Sequence, residues 1–243
     1  MNNELVKLAA EARRDYLSDK KYHCDFCGRS FIKESTMMAH MCEQKRRHDQ
    51  RRERHVQLGL QAFMFFFKET SPNQRERTYI DFRQSNYYNA FCKFGKFMID
   101  YNVINPRRYM EYIIRSKFKL DKWCTESYYT DWLPGYLKTE HWQDAIERSL
   151  KTMGDWADKE GVQLNSYFIG ASTNKIVQDI INARVSPWII YNCETGRNML
   201  SKLNQEQIQM VYEHIDPDYW RQYFIKMNRD SKSVKDTLKE VGF

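Results

Sequence analysis

The residues best suited to chemistry are two cysteines and a histidine near the N-terminus. Cys24 and Cys27 are separated by two residues, and twelve residues separate Cys27 from His40. Thiolates and an imidazole at this spacing are typical ligands of a structural zinc ion. We therefore expect a bound Zn²⁺ whose four protein ligands leave no open position for a catalytic water.

Two residues compete for the fourth ligand position. Cys42 lies two residues after His40, which an unbroken helix would place roughly 200° around its axis, so the helix must end or tighten near His40. His48 lies eight residues after His40, about 12 Å along a straight helix, which is too far for a zinc–nitrogen bond. We expect Cys42 to be the ligand and keep His48 as the alternative.

The spacing of the intervening apolar residues resembles that of the Cys-Cys-His-His zinc finger family. Phe31 falls four residues after Cys27, Met37 six after Phe31, and His40 three after Met37. In that family an aromatic and an aliphatic residue fill a small core between a hairpin and a helix. The resemblance covers residues 22–48 and implies a ββα finger with one zinc ion.

The same resemblance implies a way of reading DNA. In the family's DNA-binding members, three helix positions face the bases, and here they are occupied by Lys33, Thr36 and Ala39. Lys33 is the best base reader of the three. One finger covers about 3 bp, so the resemblance implies little sequence specificity from this finger alone.

A strongly basic run follows the finger and contains Lys45, Arg46, Arg47, Arg51, Arg52 and Arg54. Because neither proline nor glycine occurs before Gly59, we expect one helix over about 43–69, basic in its first half and buried in its second. On such a helix Arg47, Arg51 and Arg54 share one face, which predicts contact with a phosphate backbone.

The charge of the whole chain is uneven. The 243 residues include 39 Lys and Arg against 32 Asp and Glu, and residues 1–122 alone hold 25 basic and 15 acidic side chains. A cationic first half predicts a nucleic-acid partner, for which we expect DNA rather than RNA. The second half is expected to be solvated or to contact protein.

The cysteines and the apolar runs bear on location. The N-terminal residues are charged and amphipathic, without the apolar stretch of a signal peptide, so the six cysteines predict a reducing, cytoplasmic compartment. Cys92, Cys124 and Cys193 are expected to be small core residues. The longest apolar run, residues 62–67, is too short to cross a membrane, and no membrane partner is expected.

Helical periodicity dominates the remainder, so the predicted fold is an all-α helical body with one small N-terminal ββα zinc finger. We expect Phe91, Phe94 and Met98 to form a core stripe, and Pro134 and Gly135 to separate short helices. The apolar residues 187–191 fit either a strand or a helical turn. The predicted segments are an amphipathic helix (1–21), the finger (22–48), a basic helical region (49–122) and a helical domain (123–243).

No motif for catalysis is found: the sequence lacks H-E-x-x-H, G-x-S-x-G and a phosphate-binding glycine loop. We therefore expect a non-enzymatic nucleic-acid-binding protein, an accessory factor in replication or transcription whose composition is similar to that of phage accessory proteins. The alternative is an adaptor that docks on a polymerase or helicase and uses its finger as a folding staple.

Overall fold

The computed structural model of this protein describes residues 6–9, 11 and 22–243. These residues are mostly helical, and the chain divides into two compact units. Unit 1 comprises Met1–Val103 and Ile114–Cys124, and unit 2 comprises Ile104–Ile113 and Thr125–Phe243. Most of the amphipathic helix predicted at the N-terminus lies outside the described residues, although residues 6–9 and 11 are helical.

Unit 1 contains the only sheet in the described part of the chain. Its antiparallel strands are β1 (Tyr22–His23) and β2 (Ser30–Phe31), with Tyr22 opposite Phe31. Five helices follow: α1 (Glu34–Ala39), α2 (Glu43–Asp49), α3 (Arg54–Thr70), α4 (Tyr79–Gln84) and α5 (Tyr88–Asp100). Two 3₁₀ turns, Gln50–Arg52 and Leu120–Lys122, also belong to this unit.

The prediction of one helix over 43–69 is wrong, because the chain breaks between α2 and α3. Glu53 is extended (φ −65°, ψ 136°), and α3 starts after it. Side chains supply partners at the break: Arg51 Nη1 donates to the His48 carbonyl at 2.9 Å, and Gln57 Nε2 donates to the Arg51 carbonyl. Consequently Arg47 and Arg54 lie on different helices and do not share the face that a continuous helix would provide.

Helices α3 and α5 pack with their backbones in close approach, which two glycines permit. A β-carbon on Gly59 would lie 2.7 Å from the Phe91 carbonyl oxygen, and one on Gly95 would lie 2.0 Å from the His55 carbonyl oxygen. Both distances are shorter than any side chain tolerates. Glycine is therefore required on each of these two helices, despite its cost within a helix.

The core of unit 1 is aromatic. The predicted stripe of Phe91, Phe94 and Met98 is confirmed, since all three side chains are buried. Trp123 contacts the rings of Phe91 and Phe94 edge to face, and its indole N–H donates to the Phe118 carbonyl at 3.0 Å. These residues thus form the packed interior of unit 1 and not a surface for stacking bases.

Unit 2 is built from helices among the described residues. They are α6 (Pro106–Arg115, counted with this unit through Ile113), α7 (Glu126–Leu137), α8 (Trp142–Glu160), α9 (Tyr167–Gly170), α10 (Thr173–Ile181), α11 (Pro187–Asn192), α12 (Glu194–Leu200), α13 (Gln205–Ile215), α14 (Pro217–Lys226) and α15 (Asn228–Glu240). A 3₁₀ turn covers Leu164–Ser166. The apolar run at 187–191 is therefore helical.

The separation of short helices predicted at Pro134 and Gly135 is wrong, since both residues lie inside α7. Proline removes one backbone hydrogen bond, normally donated to the carbonyl four residues earlier. Burial of the neighbouring Trp132, Leu133 and Leu137 side chains holds the helix together across that position. Tertiary packing thus overrides the local signal.

A buried polar group links three parts of unit 2. Arg148 Nη1 lies 2.7 Å from Glu140 Oε2, and Arg148 Nε donates to the Ala183 carbonyl at 2.7 Å. Ser186 Oγ donates to Glu140 Oε1 at 2.9 Å.

None of the described helices has the length and apolar character needed to cross a bilayer.

Candidate metal centre

Four side chains of unit 1 converge on one point. The ligand atoms of Cys24, Cys27, His40 and Cys42 all lie within 4.8 Å of one another. Cys24 Sγ lies 3.9 Å from Cys42 Sγ, and Cys27 Sγ lies 3.3 Å from His40 Nε2. Tetrahedral zinc has sulfur–sulfur edges of about 3.8 Å and sulfur–nitrogen edges of about 3.5 Å. The four side chains are thus spaced to hold a metal ion of this kind.

A tight turn between the strands places the first two ligands. The Gly28 N–H donates to the Cys24 carbonyl at 2.7 Å, and the Cys24 N–H donates to the Arg29 carbonyl at 2.9 Å. Gly28 has a φ of 69°, in the left-handed region that glycine occupies without strain. The turn points both thiols to the same side, with Cys24 buried and Cys27 exposed.

The end of α1 places the other two ligands. The expectation that the helix must end near His40 is confirmed: α1 stops at Ala39, and His40 is extended (φ −68°, ψ 119°). Cys42 then begins α2 as its N-cap, and its sulfur accepts a hydrogen bond from the Lys45 N–H at 3.4 Å. This change of direction allows two ligands only two residues apart to face the same point.

The alternative ligand His48 lies elsewhere. Its imidazole packs on the Phe26 ring with centroids 5.0 Å apart, and it is not among the clustered ligands. The guanidinium of Arg83 also lies 5.3 Å from the centre of the Phe26 ring. On the side of the cluster, the Phe31 ring packs against His40 at 4.8 Å. His48 therefore has a packing role between the turn and α2.

The thiols of the cluster influence one another's ionisation. Burial opposes ionisation of Cys24, but hydrogen bonds from the Phe26 and Cys27 backbone and from neighbouring thiols outweigh it and lower the pKa of Cys24. The Arg29 backbone favours the Cys27 thiolate, yet lost hydration and the thiols of Cys24 and Cys42 raise the pKa of Cys27. The pKa shifts of Cys24 and Cys27 thus have opposite directions, and a bound cation would stabilise the thiolate form of a coordinating cysteine.

Arg47 connects α2 to the body of unit 1 and is only 8% exposed. Its Nη1 donates to the carbonyl oxygens of Arg83 at 2.6 Å and Ser85 at 3.3 Å, and its Nη2 donates to Glu43 Oε1. The guanidinium also lies 4.3 Å from the centre of the Tyr88 ring. A side chain engaged in this way is not available to a phosphate backbone.

The other basic residues predicted for the site differ in their freedom. Lys45 Nζ donates to the Met38 carbonyl at 3.4 Å, and Arg51 donates to the His48 carbonyl. Lys45 and Arg51 are both half-buried. Four cations and one hydroxyl group of the predicted set are exposed and have no side-chain partner among the described residues: Lys33, Thr36, Arg46, Arg52 and Arg54. The structure therefore separates one anchoring arginine from a group of free basic side chains.

The sequence gives little indication that Arg47 has this role. Six basic residues lie in one run, and like charges in a row do not reveal which one is buried. The only signal is Glu43, four residues earlier, at the spacing of a helical ion pair. The carbonyl groups that receive Arg47 lie 36 and 38 residues further along the chain, beyond any local pattern.

Comparison with protein families, with curated proteins and with solved structures finds no match for the chain.

Proposed function

We propose that unit 1 is a nucleic-acid-binding module built around a zinc finger. The two short strands, α1 and the cluster of three cysteines and one histidine support a ββα finger in which Cys24, Cys27, His40 and Cys42 hold Zn²⁺. Four protein ligands fill a tetrahedral site, so the ion would stabilise the fold and would not activate water. In this proposal the protein has no catalytic role.

The observation that carries the proposal is the group of free cations that follows the clustered cysteines and histidine in the chain. Arg46, Arg52 and Arg54 are exposed and unpaired within the described residues, close in sequence to the ligand Cys42. Unit 1 also holds 23 Lys and Arg against 14 Asp and Glu, whereas unit 2 holds 16 against 18. A cationic surface of this kind attracts phosphate and releases counterions on binding.

Phosphate contacts would supply most of the affinity, and base contacts little. Helix α1 has only six residues, and of the positions that face bases in the resembling family only Lys33 carries a strong hydrogen-bond donor. Phosphate contacts orient a protein on nucleic acid but carry no sequence information. We therefore infer weakly specific binding, with duplex DNA as the first partner to test.

Salt dependence tests this proposal. Fluorescence anisotropy would compare duplex DNA, single-stranded DNA and RNA of equal length at several salt concentrations. Changing Arg46, Arg52 and Arg54 to Gln should lower the slope of log affinity against log salt by about 2 to 3 on duplex DNA. The matched control changes three exposed cations of unit 2, Lys202, Arg221 and Lys226, and should keep the parent slope. Equal slopes for both triple variants would contradict the proposal.

A second candidate function is protein docking, favoured by apolar side chains exposed on the same module. Ile32, Met38 and Met41 are 44%, 67% and 60% exposed. Exposed methionines adapt well to a partner's surface. If the parent protein binds none of the three nucleic acids at low salt, docking on a protein of the replication or transcription machinery becomes the better interpretation.

A further inference from the structure

Unit 2 contains an open cavity of about 330 Å³ that lies apart from the metal centre in sequence. Its walls come from α6, α7, α8, α11, α14 and α15 and the residues that join them. A volume of this order is that of a small-molecule site. The lining combines aromatic rings with charged groups, and these two parts together indicate which kind of ligand the cavity can bind.

The apolar part of the wall is aromatic. Tyr136, Trp142, Trp188 and Tyr223 line the cavity. The face of an aromatic ring attracts a cation, most strongly for tryptophan. Unit 2 already shows this contact next to the cavity, where Lys138 Nζ lies 4.6 Å from the ring centre of Tyr219, which stacks on Tyr223 at 5.7 Å.

The charged part of the wall carries an excess of negative charge. Arg108 shares the carboxylate of Glu111 with Arg107, at 3.2 and 3.4 Å, and the buried Glu140 pairs with Arg148 at 2.7 Å. Asp144 and Asp230 also line the cavity, and neither carboxylate pairs with a cation among the described residues. The lining thus holds three carboxylates against one guanidinium, beside four aromatic rings.

One further observation agrees with a cation in this cavity. Burial, the neighbouring Tyr219 and the carboxylates of Asp230 and Glu140 raise the pKa of Tyr223, as a negative cavity would.

We propose that the cavity of unit 2 binds an organic cation, an ammonium or guanidinium group carried on a short apolar chain. Asp144 and Asp230 would supply the counter-charge, and the aromatic rings would cover the apolar chain. The cation can belong to a free polyamine or to a basic side chain of a peptide, since both present the same group. We infer this site without reference to nucleic-acid binding by unit 1.

Titration with matched pairs of probes tests the site on the full-length protein. Cadaverine and its uncharged analogue 1,5-pentanediol represent a free polyamine. Nα-acetyl-lysine amide, which keeps its ammonium group, and the uncharged Nα,Nε-diacetyl-lysine amide represent a peptide side chain. Calorimetry should give a dissociation constant near or below about 1 mM for at least one cationic probe, and binding at least about tenfold weaker for its neutral partner. The indole N–H resonances of Trp142 and Trp188 should shift on binding.

Substitutions in the lining show whether the probe binds in the cavity. Changing Asp144 and Asp230 together to Asn should weaken binding of the cationic probe by about tenfold or more. Asp158→Asn is the matched control, because Asp158 is an exposed carboxylate on the same helix α8 that does not line the cavity. The single variants Asp144→Asn and Asp230→Asn provide the answer if the double variant does not fold.

Binding of only one cationic probe supports the site and identifies its source. The inference is overturned if neither cationic probe binds at millimolar concentration. It is also overturned if the neutral analogues bind equally well, or if Asp158→Asn weakens binding as much as the cavity variants do.

Discussion

Replacing Arg47 with Met should destabilise unit 1 although Arg47 belongs to a run of basic residues. Met has a similar length and no charge, so the substitution removes the guanidinium and keeps most of the apolar volume. The carbonyl oxygens of Arg83 and Ser85 then lose their buried donor. The neighbouring Arg46→Met is the matched control, because Arg46 is exposed.

The size of the effect follows from the contacts of the Arg47 guanidinium. Two hydrogen bonds from a charged donor to partly buried carbonyls, one of them long at 3.3 Å, contribute about 1 to 1.5 kcal/mol each. The contact with the Tyr88 ring adds about 1 kcal/mol. The ion pair with Glu43, whose side chain is 53% exposed, contributes less than about 0.5 kcal/mol because solvent screens it. We expect a loss of about 3 kcal/mol for Arg47→Met and within about 0.5 kcal/mol for Arg46→Met.

Hydrogen exchange on the zinc-loaded protein measures this loss in unit 1 alone. A loss of about 3 kcal/mol lowers the protection of the amides in α5 by roughly 100-fold. The amides of α8, in unit 2, serve as an internal reference and should keep their protection. The reasoning is refuted if the α5 amides exchange at the parent rate in Arg47→Met, or if Arg46→Met accelerates their exchange equally.

Two further predictions concern the ligand set and the packing of α3 on α5. Cys42→Ser should weaken zinc binding, measured by competition with a chelator, more than His48→Ala does, since only Cys42 lies in the cluster; an equal or larger loss at His48 would reverse the ligand choice. Gly95→Ala should destabilise the protein by about 3 kcal/mol or more in urea, because its β-carbon would lie 2.0 Å from the His55 carbonyl oxygen. Gly135→Ala, where a β-carbon meets nothing within 4 Å, should be neutral or stabilising, and similar urea midpoints for the two glycine variants would contradict the close approach.

The sequence predicted the cluster of three cysteines and one histidine because its determinants are local. The segment from Cys24 to Cys42 has only nineteen residues. Helix geometry alone required the helix to end near His40. The structure brings these ligands together and leaves His48 out.

The failures come from contacts between residues distant in sequence. Nothing near Arg47 indicates that the backbone after α4 will bind its guanidinium, and this burial removes Arg47 from the expected phosphate-binding face. The predicted continuity of α2 and α3 failed because side-chain hydrogen bonds stabilise an alternative path at residues 50–53. At Pro134 the opposite error occurs: the sequence predicted that a helix ends there, but burial of the neighbouring side chains keeps the helix continuous.

X-ray absorption at the zinc edge of the purified protein tests the central claim most directly, because one spectrum reports both the metal and its ligands. We predict one zinc ion per chain, bound by three sulfur atoms at about 2.3 Å and one nitrogen atom at about 2.0 Å. A protein purified without zinc would contradict the account, and so would a spectrum with two sulfur and two nitrogen ligands.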